Sequence, residues 1–277
     1  MNIIQRLFSP TSSSKSGSWK KEEIVDFTSE ALGLSFTIQL FLPPDYRTIR
    51  QPLPLLFFND GQDMEAIRLE HTLQQLYHKN KIRPFIVVAI PAIDRMHTYG
   101  TSEVLDYQRR GSRAKAYGQF IAKELLPWLQ LQFKVSQQVR AHGFAGFSLG
   151  GLSALDIMWH YPTIFGQVGV FSGSLWWRSK AFDPNDPDGN RIMHELMAKG
   201  PKKEGLRFWF QAGTADETDD RNNNGVIDAI DDTLDLIKVL RGLGYDEMEY
   251  VEVEGGRHEP ETWGRVLPQF LRWGFGV

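Results

Sequence analysis

The sequence predicts an α/β fold, with a mostly parallel central sheet, helices on both faces and an N-terminal antiparallel hairpin. Three observations carry that prediction. Apolar strand patterns near Leu55, Ile86, Arg140, Val168, Phe208 and Val251 alternate with helical stretches, the order of a chain that crosses a parallel sheet repeatedly. Before the first helix, two strand patterns, Glu22 to Thr28 and Leu34 to Leu42, are split only by the turn Glu30-Ala31-Leu32-Gly33, which makes them a hairpin at the sheet edge. Finally, Gly146-Phe147-Ser148-Leu149-Gly150 joins the apolar run Val139 to Ala145 to a helix pattern over Leu149 to Trp159, as a strand ending in a tight turn requires.

Taken in chain order, residues 1–19 read as a flexible tail, because Pro10 to Gly17 is rich in serine. Residues 20–277 read as one domain, since a chain of 277 residues, 42% hydrophobic, can bury one large core. The hairpin comes first. The strand Leu53 to Phe58 then runs into Asn59-Asp60-Gly61-Gln62, a turn by composition. Pro91 to Gly111 is a long irregular segment expected to cross the mouth of a site at the strand ends. Ala114 to Leu126 has apolar residues at helical spacing and reads as core packing. Leu206 to Ala212 is a strand that ends in Gly213-Thr214-Ala215-Asp216-Glu217, and Glu249 to Val253 is a strand that leads into Glu254-Gly255-Gly256-Arg257-His258. A final helix lies around Trp263 to Trp273.

The glycine-framed serine has a chemical reading. Small residues on either side let the backbone take a strained turn, so that the Ser148 hydroxyl stands exposed at the C-terminal edge of the sheet as a nucleophile. Such a serine needs a base and an orienting acid, and the chain supplies both at later strand ends in the order serine, acid, histidine. His258 is the base. Asp216 is the acid nearest a strand end, with Glu217 and Asp219 able to take the same role. An oxyanion needs two backbone N–H donors: Leu149, which follows the nucleophile, and Gln62, whose neighbour Gly61 lets the backbone approach. Trp176 and Trp177 follow the strand Gln167 to Phe171 and either wall an acyl or aromatic pocket or fill the core. Arg95 and Arg109 are candidates for a substrate carboxylate or phosphate, or are surface charges. His142, inside a strand, reads as a hydrogen-bonded structural histidine.

These segments resemble a known family. Phe57 to Gln62, Gly143 to Gly151, Phe171-Ser172-Gly173-Ser174-Leu175-Trp176-Trp177, Gly213 to Glu217 and Gly255 to His258 are similar to the putative esterase family, which groups enterochelin-esterase-like enzymes with esterase D, feruloyl esterases and mycolyl transferases. The resemblance runs from about residue 20 to 275. It implies an α/β-hydrolase fold, hydrolysis of small-molecule carboxylic esters without a catalytic cofactor, and Ser148, Asp216 and His258 at the catalytic positions.

A second motif is acidic. Asp220 to Asp231 puts oxygen-bearing side chains at loop positions of an EF-hand type, with Gly225 at the sharp turn. The predicted ligands of a structural calcium ion are Asp220, Asn222, Asn224 and Asp231, the Val226 carbonyl, and Asp228 directly or through water. The loop also resembles the calcium loops of dockerin modules, which likewise end in aspartate.

Composition excludes several classes. The 31 basic and 34 acidic residues nearly balance, so neither nucleic acid nor an anionic membrane is expected as a standing partner. With no cysteine, disulfides, thiolate catalysis and cysteine metal sites are out. The apolar residues of Met1 to Pro10 are broken by Gln5 and Arg6, and no apolar stretch reaches the ~18 residues that span a bilayer, so a cytoplasmic protein is expected. Two function classes follow: a serine esterase working through an acyl-enzyme, with acyl transfer as its variant, and a non-catalytic calcium-dependent binding protein on the same scaffold.

Overall fold

The computed structural model describes residues 17–277. Eight strands form one sheet in the order β1-β2-β4-β3-β5-β6-β7-β8: β1 Lys20–Ser29, β2 Leu34–Leu42, β3 Leu55–Phe58, β4 Ile86–Ala89, β5 Gly143–Phe147, β6 Gln167–Phe171, β7 Arg207–Ala215 and β8 Met248–Arg257. The β1–β2 and β2–β4 pairs are antiparallel and every other pair is parallel, so the hairpin lies at the edge as its sequence predicts. The helices are α1 Leu69–His78, α2 Arg95–Thr98, α3 Ala114–Gln119, α4 Leu126–Gln132, α5 Leu149–His160, α6 Ile192–Lys199, α7 Asp228–Gly242 and α8 Pro260–Phe275.

The two faces of the sheet bury separate cores. Phe58, Val87, Phe147 and Phe171 pack with Leu73 and Tyr77 of α1 and Leu267 and Phe270 of α8. On the other face, Phe57, Val88, Phe144 and Val168 pack with side chains of α3 to α7, including Tyr117, Leu129, Leu152, Met193 and Leu236. Central strands buried on both faces read as continuous apolar runs, which explains why β3 and β4 show no alternation.

Three local expectations change. The run from Val139 opens as a 3-10 turn over Val139–Ala141 and becomes β5 only at Gly143. His142 is the reason: its Nδ1 accepts the Leu55 N–H at 3.0 Å and its Nε2 donates to the Ser136 carbonyl at 2.8 Å, tying the strand's entry to β3. Burial pushes that imidazole below its ordinary pKa, as suits a neutral structural histidine. The helix predicted over Ala114 to Leu126 is interrupted by a π-helical turn at Phe120–Leu125 before α4. Pro127 lies in the first turn of α4 and has no N–H for the carbonyl a turn behind it, so an unbroken α-helix would lose a bond there. Of the predicted tail, residues 1–16 lie outside the described residues. Trp19 is buried, edge-on to Tyr77 and Phe85, and its backbone N–H donates to Gln74 Oε1 at 2.8 Å, so packed structure begins ahead of the boundary drawn at residue 20.

Candidate active site

Parallel strands bring their C-terminal ends to one edge, and every candidate catalytic residue follows such an end. Ser148 comes directly after β5 with φ 52° and ψ −124°, a left-handed backbone that a serine adopts only under local compulsion. The compulsion is steric. A Cβ on residue 146 would lie 2.4 Å from the Gly150 carbonyl oxygen, and one on residue 150 would lie 2.4 Å from Asp60 Oδ2, so only glycine fits at either position. The Ser148 N–H donates to the Phe171 carbonyl at 2.9 Å, which fixes the turn against β6.

Asp216 and His258 arrive together. Ala215 of β7 pairs with Arg257 of β8, and each candidate is the next residue along its strand. Asp216 Oδ2 accepts the Gly213 N–H at 2.9 Å, while its Oδ1 is buried without a partner. The His258 ring sits edge-on to Trp263 at 5.4 Å. Loss of water on that side lowers its pKa, the Asp216 carboxylate raises it, and the Arg95 guanidinium lowers it again. Glu217 faces elsewhere: its carboxyl, raised to about 7 chiefly by burial, accepts a hydrogen bond from the Ala229 backbone. Asp219 is exposed. Of the three acids open in the sequence, only Asp216 acts on the imidazole.

No hydrogen bond joins His258 to Ser148 or to Asp216 in this conformation. Ser148 Oγ instead meets Ser174 Oγ at 3.2 Å. Catalytic hydrogen bonds are often long or unmade before substrate enters. Leu149 opens α5 and Gln62 lies in the short 3-10 helix Gly61–Asp63, both places where backbone N–H groups lack an intrahelical acceptor. The two loops are locked together, because Asn59 Nδ2 donates to the Gly150 carbonyl at 2.8 Å.

The structure separates the residues assigned to substrate. Trp177 is 1% exposed and belongs to the core, whereas Trp176 is 41% exposed, so only Trp176 can meet a ligand. Arg95 is not free: it pairs with buried Asp60, Nε to Oδ1 at 2.9 Å, and donates to the Phe147 carbonyl at 3.1 Å. Arg109 is exposed, and the guanidinium that reaches the tryptophans is that of Arg110, over the Trp177 ring at 4.7 Å and the Trp176 ring at 5.6 Å. A cavity of about 730 Å³ opens beside Gln62, lined by Lys21, Phe41, Met64, Arg68 and His71 among others, but not by Ser148.

The acidic loop differs most from expectation. Backbone N–H groups of Asn224 and Gly225 donate to Asp220, and that of Val226 to Asn224 Oδ1, all within 3.1 Å. Asp228 and Asp231, however, are held by Arg221, at 3.0 Å each. The carboxylates of Asp188, Asp231 and Asp235 converge, and Arg221 Nη2 reaches all three at 2.8 to 3.7 Å. A guanidinium from the loop's second position therefore supplies counter-charge that the sequence reading gave to calcium.

Sequence reasoning missed Ser174, Trp263 and Asp60. Ser174 and Asp60 lie inside segments that resemble the family but carry no role there, and nothing in the sequence marks Trp263; the parts of all three depend on long-range contacts.

Against known proteins, the profile of the family described as "Putative esterase" matches residues 29–273. The chain is 30% identical over 196 residues to the iron(III) enterobactin esterase of Escherichia coli K12, covering 69% of this chain and 44% of that protein. It is 25% identical to the uncharacterized protein YbbA of Bacillus subtilis over 51% of this chain and 58% of YbbA. The chain thus spans about half the length of these curated relatives. Among solved structures, the Shigella flexneri enterobactin esterase, crystallised in the presence of enterobactin, superposes with a TM-score of 0.73 at 25% identity, over 94% of this chain and 60% of that one.

Proposed function

Because this chain belongs to the "Putative esterase" family, we propose that it is a serine carboxylic-ester hydrolase working through an acyl-enzyme on Ser148. One observation carries the reading: a serine held at φ 52° on a strand-to-helix turn, at the same sheet edge as a histidine that feels an aspartate with a buried, unpartnered carboxylate oxygen. That free Asp216 oxygen is suited to accept an N–H of His258 and so to fix its tautomer. In acylation, Ser148 Oγ attacks the ester carbonyl carbon while its proton passes to His258, and the oxyanion takes hydrogen bonds from the N–H groups of Leu149 and Gln62. Collapse breaks the carbon–alkoxy bond, and His258 returns the proton to the departing alcohol. Water then repeats the sequence, and the proton finally returns to Ser148. The lowered pKa of His258 keeps it a neutral base at neutral pH.

The substrate proposed is a small-molecule ester with an aromatic acyl or amide group. Enterobactin and 2,3-dihydroxy-N-benzoyl-serine accompany the Shigella flexneri structures, and Trp176, two residues beyond Ser174 in the chain, offers an exposed ring face.

The test is a panel of p-nitrophenyl and aryl esters and serine lactones, run with wild type and Ser148→Ala. Wild type should turn over at least the activated esters, and Ser148→Ala should lose several orders of magnitude. Near-equal rates for the two proteins would refute the assignment.

A calcium-holding role for residues 220–231 is a second reading, favoured by the loop's winding about the Asp220 and Asn224 side chains. Five carboxylates, of Asp188, Asp228, Asp231, Asp232 and Asp235, surround Arg191 and Arg221 and leave negative charge in excess. Arg221 would have to give up Asp228 and Asp231 for all the expected ligands to act.

A further inference from the structure

We propose that Ser174 is a catalytic residue, whose hydroxyl donates a hydrogen bond to Ser148 Oγ while that oxygen attacks and again while it departs. The inference rests on the serine-hydrolase reading above. Ser174 Oγ lies 3.2 Å from Ser148 Oγ, and the Ser174 N–H donates to the Ser148 carbonyl at 3.1 Å, so this residue grips the nucleophile by both backbone and side chain. Ser174 is buried, and the nucleophile's oxygen is the one hydrogen-bond partner of its hydroxyl among the described residues.

The segment that delivers this hydroxyl is built under constraint. Ser172 has φ 44°, a strained conformation for a serine, and is held there by its N–H to the Gln211 carbonyl at 2.8 Å and by Trp263 Nε1 donating to its Oγ at 3.0 Å. At residue 173 a Cβ would lie 2.4 Å from Val170 Cγ1, so glycine is needed for the chain to turn back towards Ser148. Trp263 also stacks on Phe147 at 4.6 Å and flanks His258 at 5.4 Å. One indole therefore ties the nucleophile's strand, the Ser174 turn and the base into a single block.

Proton accounting fixes the direction of the bond. Once Ser148 gives its proton to His258, its Oγ can only accept, so the Ser174 O–H must donate. That donor stabilises negative charge growing on Oγ in acylation. In deacylation the bond between the acyl carbon and Oγ breaks, the electron pair stays on Oγ, and His258 supplies its proton. Ser174 keeps its own proton throughout. In this conformation the Ser148 hydroxyl meets Ser174 at 3.2 Å and makes no hydrogen bond to His258.

The experiment compares wild type, Ser174→Ala and Ser174→Cys, the last filling the space with a poor donor. Labelling of Ser148 by a fluorophosphonate, located by peptide mass, is measured alongside kcat and KM for a p-nitrophenyl ester and the melting temperature. Expected for Ser174→Ala is a fall of roughly 10- to 100-fold in both kcat and labelling rate, with KM within about 2-fold, because only a bond to the reacting oxygen is lost. Ser174→Cys should fall in the same direction and carries the comparison if the alanine variant melts early. Labelling and turnover within about 2-fold of wild type in both variants would overturn the role of Ser174. Failure of wild type itself to label at Ser148 would overturn the hydrolase reading instead.

Discussion

At the scale of the residue, the acid assignment turns on where three neighbouring carboxylates point. Asp216 extends from a β7 residue paired with β8 and keeps one oxygen unpartnered, while Glu217 turns to the first turn of α7. Replacing Asp216 by Asn leaves the shape but removes the charge that steadies the imidazolium. Turnover should fall by roughly 10²- to 10⁴-fold, less than for loss of Ser148, and Glu217→Gln should stay near wild type. Measured kcat values at matched stability check this, and a large loss confined to Glu217→Gln would move the acid to that position. Sequence position favoured Asp216 as the acid nearest the strand end but left Glu217 and Asp219 open, because residues one and three apart in a turn cannot be separated without knowing which way the strand leaves the sheet.

At the scale of the element, the segment Pro91 to Gly111 is fastened to α5 by a polar clasp away from the catalytic edge. Ser102 N–H donates to Asp156 Oδ2 at 3.1 Å, and His160 lies 3.3 Å from both Asp156 Oδ1 and Glu103 Oε1. Burial alone would lower the His160 pKa, but the hydrogen bond and charge of Asp156 outweigh it and raise it to about 9. The protonated form is thus favoured by folding. Stability from the clasp is complete below the unfolded value near 6.5 and is lost as pH rises through about 9. In chemical denaturation at pH 6.5 and 9.5, wild type should lose up to ~3 kcal/mol more than His160→Gln across that interval. Equal pH dependence in the two proteins would remove the clasp from the account. Long loops at an active-site mouth are ordinarily the mobile part of such folds, and this tether explains how Arg95 and Tyr99 are held in register with Asp60, which they contact as an ion pair and as an acceptor of the Asp60 N–H at 3.0 Å.

At the scale of the whole molecule, the acidic loop links the catalytic edge to the α6–α7 side. Arg191 and Arg221 bind carboxylates contributed by α7 and by the loop before α6, so charge balance there governs how firmly the chain after Asp216 is held. If a calcium ion joins this network, protein stripped with a chelator should melt lower, and calcium should restore the melting temperature and esterase rate better than magnesium, whose octahedral demand suits the loop poorly. Saturation at 100 times the dissociation constant would add about 2.7 kcal/mol. No response, with no calcium by elemental analysis, would leave Arg221 as the counter-charge, and Arg221→Met should then destabilise the fold, though by less than the ~3–5 kcal/mol of a fully buried broken pair, because Asp228 and Asp231 lose their cation at part-exposed positions while buried Asp232 keeps Arg191.

Much of this was legible in order along the chain. The alternation of strand and helix patterns determined the sheet, its parallel core and the edge hairpin, since periodicity and turn chemistry are local properties. Local sterics likewise marked Ser148, because only glycine at 146 and 150 lets the turn close. Ser148, Asp216 and His258 each follow a strand in the sequence, and parallel pairing of those strands brings the three to one edge. Tertiary structure decided what depends on distance through space. It placed Trp177 in the core and Trp176 at the surface, though the two are adjacent and alike. It paired Arg95 with Asp60 across 35 residues of chain. It set Arg221 among carboxylates from 33 residues before it in the chain, at Asp188, to 14 after it, at Asp235. And it brought Ser174 against Ser148 across two neighbouring strands, a contact fixed by strand order and by the Trp263 indole rather than by any spacing in the sequence.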